Sequence, residues 1–388
     1  MLKRLVLAGL FAAAALALAA GDAPAQPFES KAEQAFAVET ATGTVLLSKN
    51  PDTPVPPASM AKLMTVAVVF EALKSGRITL DTEYKVSENA WRTGGAPSGT
   101  STMFAALKSS IRVEDLLKGV MVQGANDGCI ILAEGLAGDE QKFVAMMNAQ
   151  ARALGLTRSH FVNSTGLPAD GQGMTMRELV RLARHVAETY PEYYAYFALP
   201  DFTWNKITQR NRNPLLAMNI GADGVLTGFT EGSGYALLGS VRRGDGRIVA
   251  AIGGLKSDRE RADEARRLFD WINGAFSARS LFAANAVVGS VPVYGGSVSH
   301  VAVRTHAPVG LFLPADKAGS PRASIVYSGP LVAPVEEGDA VGILRIQLDG
   351  AVIQETPLYA AQAVPEGPLH SRAMDALAEL LTGWIHRL

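Results

Sequence analysis

Residues 59–70 are apolar on every face of a helical projection, and Lys62 and Thr65 are the main exceptions. A helix of that kind is buried inside a domain. Pro56 and Pro57 end the preceding segment and set the helix entry. A lysine near the start of a buried helix needs a reason, because an unpaired buried ammonium is costly. Ser59 and Lys62 stand three apart and share a face.

The rest of the pattern supplies a setting for that helix. Residues 34–48 read as a hairpin around Ala41-Thr42-Gly43, and 79–87 as a short strand. Residues 89–101 are rich in Gly, Pro, Ser and Thr and predict a loop. Apolar residues at helical spacing predict helices over 113–122, 127–136, 139–154 and 174–189, with Gly124-Ala125-Asn126 as an interruption. A strand is expected over 202–207, then a loop over 210–219, then strands over 225–227, 235–242 and 247–255. Asp245-Gly246 marks the last hairpin, and 258–273 reads as an amphipathic helix. Strands, an all-helical insertion, then more strands and a helix predict a mixed α/β (α+β) domain with helices packed on one sheet.

Near Leu281 the pattern changes to short Val-, Gly- and Pro-rich runs, which predict a separate all-β domain of sandwich type over 281–363. The last segment, 364–388, contains an amphipathic helix with Met374, Leu377, Leu381, Trp384 and Leu388 on one side. Two roles fit that stripe: docking on its own protein, or lying in a membrane interface by apolar burial, since its polar side is not basic.

Composition narrows the picture. The chain has 388 residues, 48% of them hydrophobic, and a formal net charge of -1. Nothing in it has the basic surface of a nucleic-acid partner. Cys129 is the only cysteine, and the six histidines lack ligand spacing, so the sequence predicts neither a disulfide framework nor a metal site. Lys3 and Arg4, an apolar run over 5–20 and Ala23-Pro24-Ala25 have the form of a secretory signal cleaved near Gln26. An uncleaved membrane anchor is the alternative, but the run is short for spanning. Residues 26–280 then form the expected first domain of the mature chain.

Serine is a poor nucleophile until a base takes its proton, and a lysine serves as that base only when its pKa is depressed. Burial in an apolar helix depresses it, and the helix N-terminus at Ser59 favours developing negative charge. A structural salt bridge is the alternative role for Lys62. Cys129, three residues after Asn126, and His160 could each face such a site, although a small buried residue and a structural histidine are the plainer readings.

The segments PASMAKLMT, VQGANDG, FVNSTGLP, NRNPLL and GADGVLTGFT occur in this order. Together they resemble the low-molecular-mass penicillin-binding proteins, the serine-type D-alanyl-D-alanine carboxypeptidases of peptidase family S11. The resemblance covers the whole mature chain. It implies a β-lactamase-like antiparallel sheet with helices, and a periplasmic enzyme attached to the membrane by its terminal helix. It also implies removal of terminal D-alanine from peptidoglycan pentapeptides, acylation by β-lactams, and no cofactor. Ser59 and Lys62 match the nucleophile and base, and Asn126 the asparagine of the family's Ser-x-Asn motif. Thr227 and Gly228 match the end of Lys-Thr-Gly. The backbone N–H groups of Ser59 and Phe229 match the oxyanion hole. Arg261 and Arg212 are candidates for holding the substrate carboxylate.

Two positions depart from the family pattern. Gly124 stands where the motif has serine, and Leu226 where it has lysine. The losses motivate an alternative, a binder that is acylated or holds muropeptide but turns over poorly. A β-lactamase would need a deacylating glutamate in an E-x-x-L-N context, which the sequence lacks.

Overall fold

The computed structural model describes residues 28–244, 246–314, 321–348 and 350–369. The expected leader and the amphipathic run at 374–388 lie outside the described residues. The chain divides into two units, one ending at Asn273 and one starting at Gly274.

The first unit is built on an antiparallel sheet. Its strands are β1 (Gln34–Glu39), β2 (Val45–Lys49), β3 (Ala222–Thr230), β4 (Gly234–Arg243) and β5 (Gly246–Leu255). Their order across the sheet is β2-β1-β5-β4-β3, which leaves β3 at one edge. The middle of β5 is continuously apolar and buried, the pattern of a strand covered on both faces. Met176 packs against Gly253, while Phe269 packs against Gly239, the partner of Ala250. Side chains alternate along a strand, so 250 and 253 face opposite ways, and helices Met176–Thr189 and Asp258–Ala275 cover opposite faces.

Helix Lys62–Lys74 runs through the core with every residue buried except Glu71 and Lys74. Each fully buried Leu, Val or Phe there contributes roughly 1.5–3 kcal/mol, which anchors the helix start more firmly than any cap. The helix is preceded by a tight turn, Ala58–Ala61, rather than continuing regularly to Ser59. Helices Val113–Lys118, Asn126–Ala137 and Glu140–Ala153 complete the insertion.

Several sequence expectations need adjusting. The strand expected over 79–87 contracts to Glu83–Lys85, paired with Ser110–Arg112. The segment expected as a loop over 89–101 contains helical turns at Ala90–Gly94 and Ala96–Ser98. The strand over 202–207 is a hairpin of Asp201–Trp204 with Ile207–Arg210. A short helical stretch follows Tyr190, because Pro191 ends one helix and opens the next.

The second unit is β-sheet: a six-stranded sheet and a ribbon of Phe276–Phe282 with Val309–Pro314. Val291, Val303, Leu311, Leu313, Ile346 and Leu358 share its core. The units divide several residues before the change of composition near Leu281. Helix Asp258–Ala275 passes directly into Phe276–Phe282, with no turn residues to mark the change. That strand is mostly exposed, so it lacks the apolar alternation that would reveal it.

Candidate active site

Ser59 lies in the turn Ala58–Ala61, at the point where Pro57 delivers the chain into the buried helix. Its neighbour Ala58 is held at φ +49 with its side chain buried. A non-glycine residue there carries strain of roughly 1–2 kcal/mol, sustained by the surrounding packing. The turn is of 3-10 form, in which residues three apart stand above one another. Lys62 Nζ accordingly donates to Ser59 Oγ at 3.0 Å.

Lys62 is 1% exposed. Its second bond is to the Thr165 carbonyl at 2.5 Å, and among the described residues it forms no ion pair. The structural salt bridge is thus replaced by two neutral acceptors. Burial pushes its pKa down to about 8; Cys129 pulls it up, and Arg212 pushes it down further. Roughly a tenth of the amine is neutral at pH 7 on that basis.

The Thr165 carbonyl is placed by its own loop. Asn163 Oδ1 accepts from Thr165 N, Thr165 Oγ1 and Gly166 N, while Asn163 Nδ2 donates to the Leu167 carbonyl. Thr65, the second polar residue of the apolar helix, donates to the Ser164 carbonyl at 2.6 Å. Both exceptions in the helix therefore reach one loop. The sequence pattern singled out Thr65 but gave no partner for it.

Asn126 opens helix Asn126–Ala137 and is 3% exposed. Its backbone N–H donates to Ser101 O at 2.8 Å and its Nδ2 to Thr100 Oγ1 at 2.9 Å. Its Oδ1 is buried without a partner. The next residue, Asp127, is fully buried and holds the same segment through Thr102 Oγ1, Met103 N and Ala105 N.

A cleft of about 760 Å³ brings together Ser59, Asn126, Thr227, Arg212 and Arg261, with Gly228 and Phe229 along its edge. Thr227, Gly228 and Phe229 lie on β3. Gly228 has a structural reason: a Cβ there would lie 3.1 Å from Ala58 Cβ and 3.4 Å from the Pro57 carbonyl. Only glycine lets the edge strand approach the nucleophile turn this closely. The Phe229 ring meets Tyr235 in a tilted pair with centroids 4.3 Å apart, and the Arg261 guanidinium lies over the Tyr235 ring at 5.7 Å. The aromatic pair therefore supports an arginine, a role the sequence did not reveal.

Arg261 pairs with Asp258, yet its Nε is buried without a partner. Burial lowers its pKa, which Asp258 and Tyr235 raise. Arg212 is exposed, although partial burial also lowers its pKa and Asp258 raises it. Two guanidiniums against one carboxylate leave net positive charge at this end of the cleft.

Gly124 and Leu226 occupy one place together. With Ser59, Arg212, Asn213 and Thr227 they line a hollow of about 20 Å³, room for about one water. Gly124 adopts φ +71 and no atom lies within 4 Å of where its Cβ would be. Asn213 Nδ2 is buried without a partner beside the same hollow. Cys129 is fully buried, and burial raises its thiol to about 12. His160 is exposed, bridges to Gly173, and does not line the cleft. Thr100, Gln209 and Asp258 also line the cleft, none of them prominent in the sequence.

Comparison with known proteins bears on this arrangement. The family model for D-alanyl-D-alanine carboxypeptidase, peptidase S11, matches residues 20–256. The chain belongs to the peptidase S11 family. The C-terminal domain model of penicillin-binding protein 5 matches residues 276–366. Among relatives within peptidase S11, D-alanyl-D-alanine carboxypeptidase DacC of Escherichia coli is 36% identical over 89% of this chain and 88% of its own. The structure of penicillin binding protein 5 from Haemophilus influenzae superposes with a TM-score of 0.81 at 30% identity, covering 88% of this chain and 99% of that one. The ampicillin-bound penicillin-binding protein D2 of Listeria monocytogenes matches with a TM-score of 0.55 at 28% identity, over 63% of this chain and 98% of its own.

Proposed function

We propose that this S11 protein is a serine-type D-alanyl-D-alanine carboxypeptidase, removing the terminal D-alanine from peptidoglycan pentapeptides through an acyl-enzyme on Ser59. The observation that carries the reading is the buried, carboxylate-free Lys62 within hydrogen-bond reach of Ser59 Oγ. Lys62 takes the Ser59 proton as Oγ attacks the penultimate carbonyl. The backbone N–H groups of Ser59 and Phe229 receive the oxyanion. Asn126 helps orient the substrate amide. Thr227, Arg261 and Arg212 hold the terminal carboxylate, which is anionic and matches the net positive end of the cleft. The C–N bond breaks, D-alanine leaves with a proton, and water hydrolyses the acyl ester. β-Lactams acylate the same serine.

The poorly turning-over alternative rested on Gly124 and Leu226. Both border a hollow that Arg212 also lines. The cation absent at Leu226 is supplied from the neighbouring 211–213 segment, and a water beside Gly124 has room and polar neighbours to stand for the absent hydroxyl. The same reading includes export by the leader, a periplasmic location, and contact of the terminal helix with the membrane surface. No described helix is long and apolar enough to cross a membrane.

The test is D-alanine release from a diacyl-D-Ala-D-Ala peptide alongside fluorescent-penicillin labelling, with Ser59→Ala as control. Release and labelling, both lost in the control, are expected. Labelling without release contradicts the carboxypeptidase.

A further inference from the structure

Strand β3 carries a bulge before it reaches the cleft. Across the β3–β4 pair, Ala222 faces Val241 and Gly224 faces Ser240, so Asp223 is an extra residue with no partner position opposite. Beyond it the pairing is regular, with Val225 against Gly239 and Thr227 against Leu237. Side chains alternate along a strand, so the bulge decides which later residues face the cleft. Losing it would exchange the faces of Leu226 and Thr227. Asp223 does not line the cleft, yet its carboxylate is held at both oxygens. Oδ1 accepts from Ser240 Oγ of β4 at 2.7 Å, and Oδ2 pairs with Arg247 Nη1 of β5 at 2.9 Å. Arg247 Nη1 also donates to Ser240 Oγ at 3.2 Å, which closes a triangle across the strands. The Asp223 and Arg247 side chains are only 18% and 15% exposed. The Arg247 guanidinium lies over the buried Tyr194 ring at 4.6 Å. Tyr194 in turn packs against Gly224, where a Cβ would lie 2.9 Å from its Oη.

We propose that Asp223 is a positioning residue for the reaction at Ser59: its clamp to Ser240 and Arg247 fixes the bulge, and the bulge fixes the face and register in which β3 presents Thr227 and the Phe229 N–H. This rests on the Ser59 reading proposed above. The need for a clamp follows from the topology. β3 is an edge strand with a neighbour on one side only, so no second ladder holds its register. The clamp reaches past β4 to β5, the middle strand, and ties the edge to the interior of the sheet. Arg242 approaches the same carboxylate at 3.5 Å but is 73% exposed, so it adds charge without a fixed geometry.

The experiment uses the full chain with 15N-threonine labelling and the variants Asp223→Asn, Asp223→Ala and Arg242→Ala. D-Alanine release and benzylpenicillin acylation are measured per folded protein, well below each variant's unfolding temperature. Asp223→Asn keeps the shape and the Ser240 bond but loses the ion pair, and is expected to lower kcat/KM and acylation by about tenfold. Asp223→Ala loses both contacts and should cost about a hundredfold. Arg242→Ala removes a charge beside the clamp without breaking it and should stay within about twofold. The pH–rate profile of Asp223→Asn should keep the wild-type midpoint under a lower plateau, because Lys62 is untouched. The Thr227 backbone amide signal, assigned by its loss in Thr227→Ser, should move in Asp223→Asn and stay in place in Arg242→Ala. If Asp223→Ala does not fold, the isosteric Asp223→Asn carries the test. Wild-type rates or an unmoved Thr227 signal in Asp223→Asn, whatever its unfolding temperature, overturns the proposal. Equal losses in Asp223→Asn and Arg242→Ala also overturn it, because charge alone would then explain them. An inert wild-type protein overturns the Ser59 reading, and the Thr227 signal then decides the clamp alone.

Discussion

At the scale of single residues, the proposed chemistry depends on Lys62 losing its proton readily, with no counter-ion beside it. Desolvation penalises its charged form, and the two acceptors it touches carry no full charge to restore it. Because its pKa is lowered to about 8, the free base gains population as pH rises through that value. Accordingly, kcat/KM for D-alanine release should climb with pH and level off above about 8, measurable as a pH–rate profile on one peptide substrate. Between about 8 and the ordinary lysine value of 10.5, the unfolded chain holds a proton that the folded one does not. Stability from this group is therefore fully present above the upper value and lost as pH falls through the lower one. Replacing Lys62 with Met removes the penalty. Thermal unfolding at pH 7 should show Lys62→Met more stable by about 1–3 kcal/mol and unreactive toward fluorescent penicillin. Arg212 belongs to the same scale. Arg212→Ala should lower kcat/KM by about tenfold to a hundredfold. Leu226→Lys should change the wild type little but restore much of the loss in the Arg212→Ala background. Equal gains from Leu226→Lys in both backgrounds would show that Arg212 does not supply the absent cation.

At the scale of elements, β3 and the nucleophile turn meet through the missing Cβ of Gly228. Gly228→Ala forces the strand or the turn to move by a few tenths of an ångström. The expected cost is about 1–3 kcal/mol in denaturant unfolding, with a larger loss in acylation rate because the proposed oxyanion donors, the N–H groups of Ser59 and Phe229, sit on both elements. The buried helix was plain in the sequence, since a lysine in an all-apolar helix must either find a partner or lose its charge. The hairpins and the main helices were equally legible from periodicity and from Gly-containing turns. Thr65 and the Thr165 carbonyl were not, because a backbone acceptor across a distant loop leaves no pattern in the chain. The tight turn at Ala58–Ala61, where regular helix is expected from Ser59, has no sequence mark, because Ala, Ser and Met do not announce the positive φ at Ala58.

At the scale of the whole molecule, the described chemistry is concentrated in the unit ending at Asn273. The unit from Gly274 on has its own valine- and leucine-rich core. Its first strand follows the last helix without a linker. A composition shift therefore marked the boundary late, where the strands become apolar rather than where they begin. The central claim is that one serine forms the acyl-enzyme in a pocket that has lost two motif side chains. It is tested most directly by incubating the protein with benzylpenicillin and mapping the adduct by intact-mass and peptide mass spectrometry. A single penicilloyl group is expected on the peptide bearing Ser59, absent in Ser59→Ala and in Lys62→Met. An adduct on another residue, or labelling that survives Ser59→Ala, would contradict it.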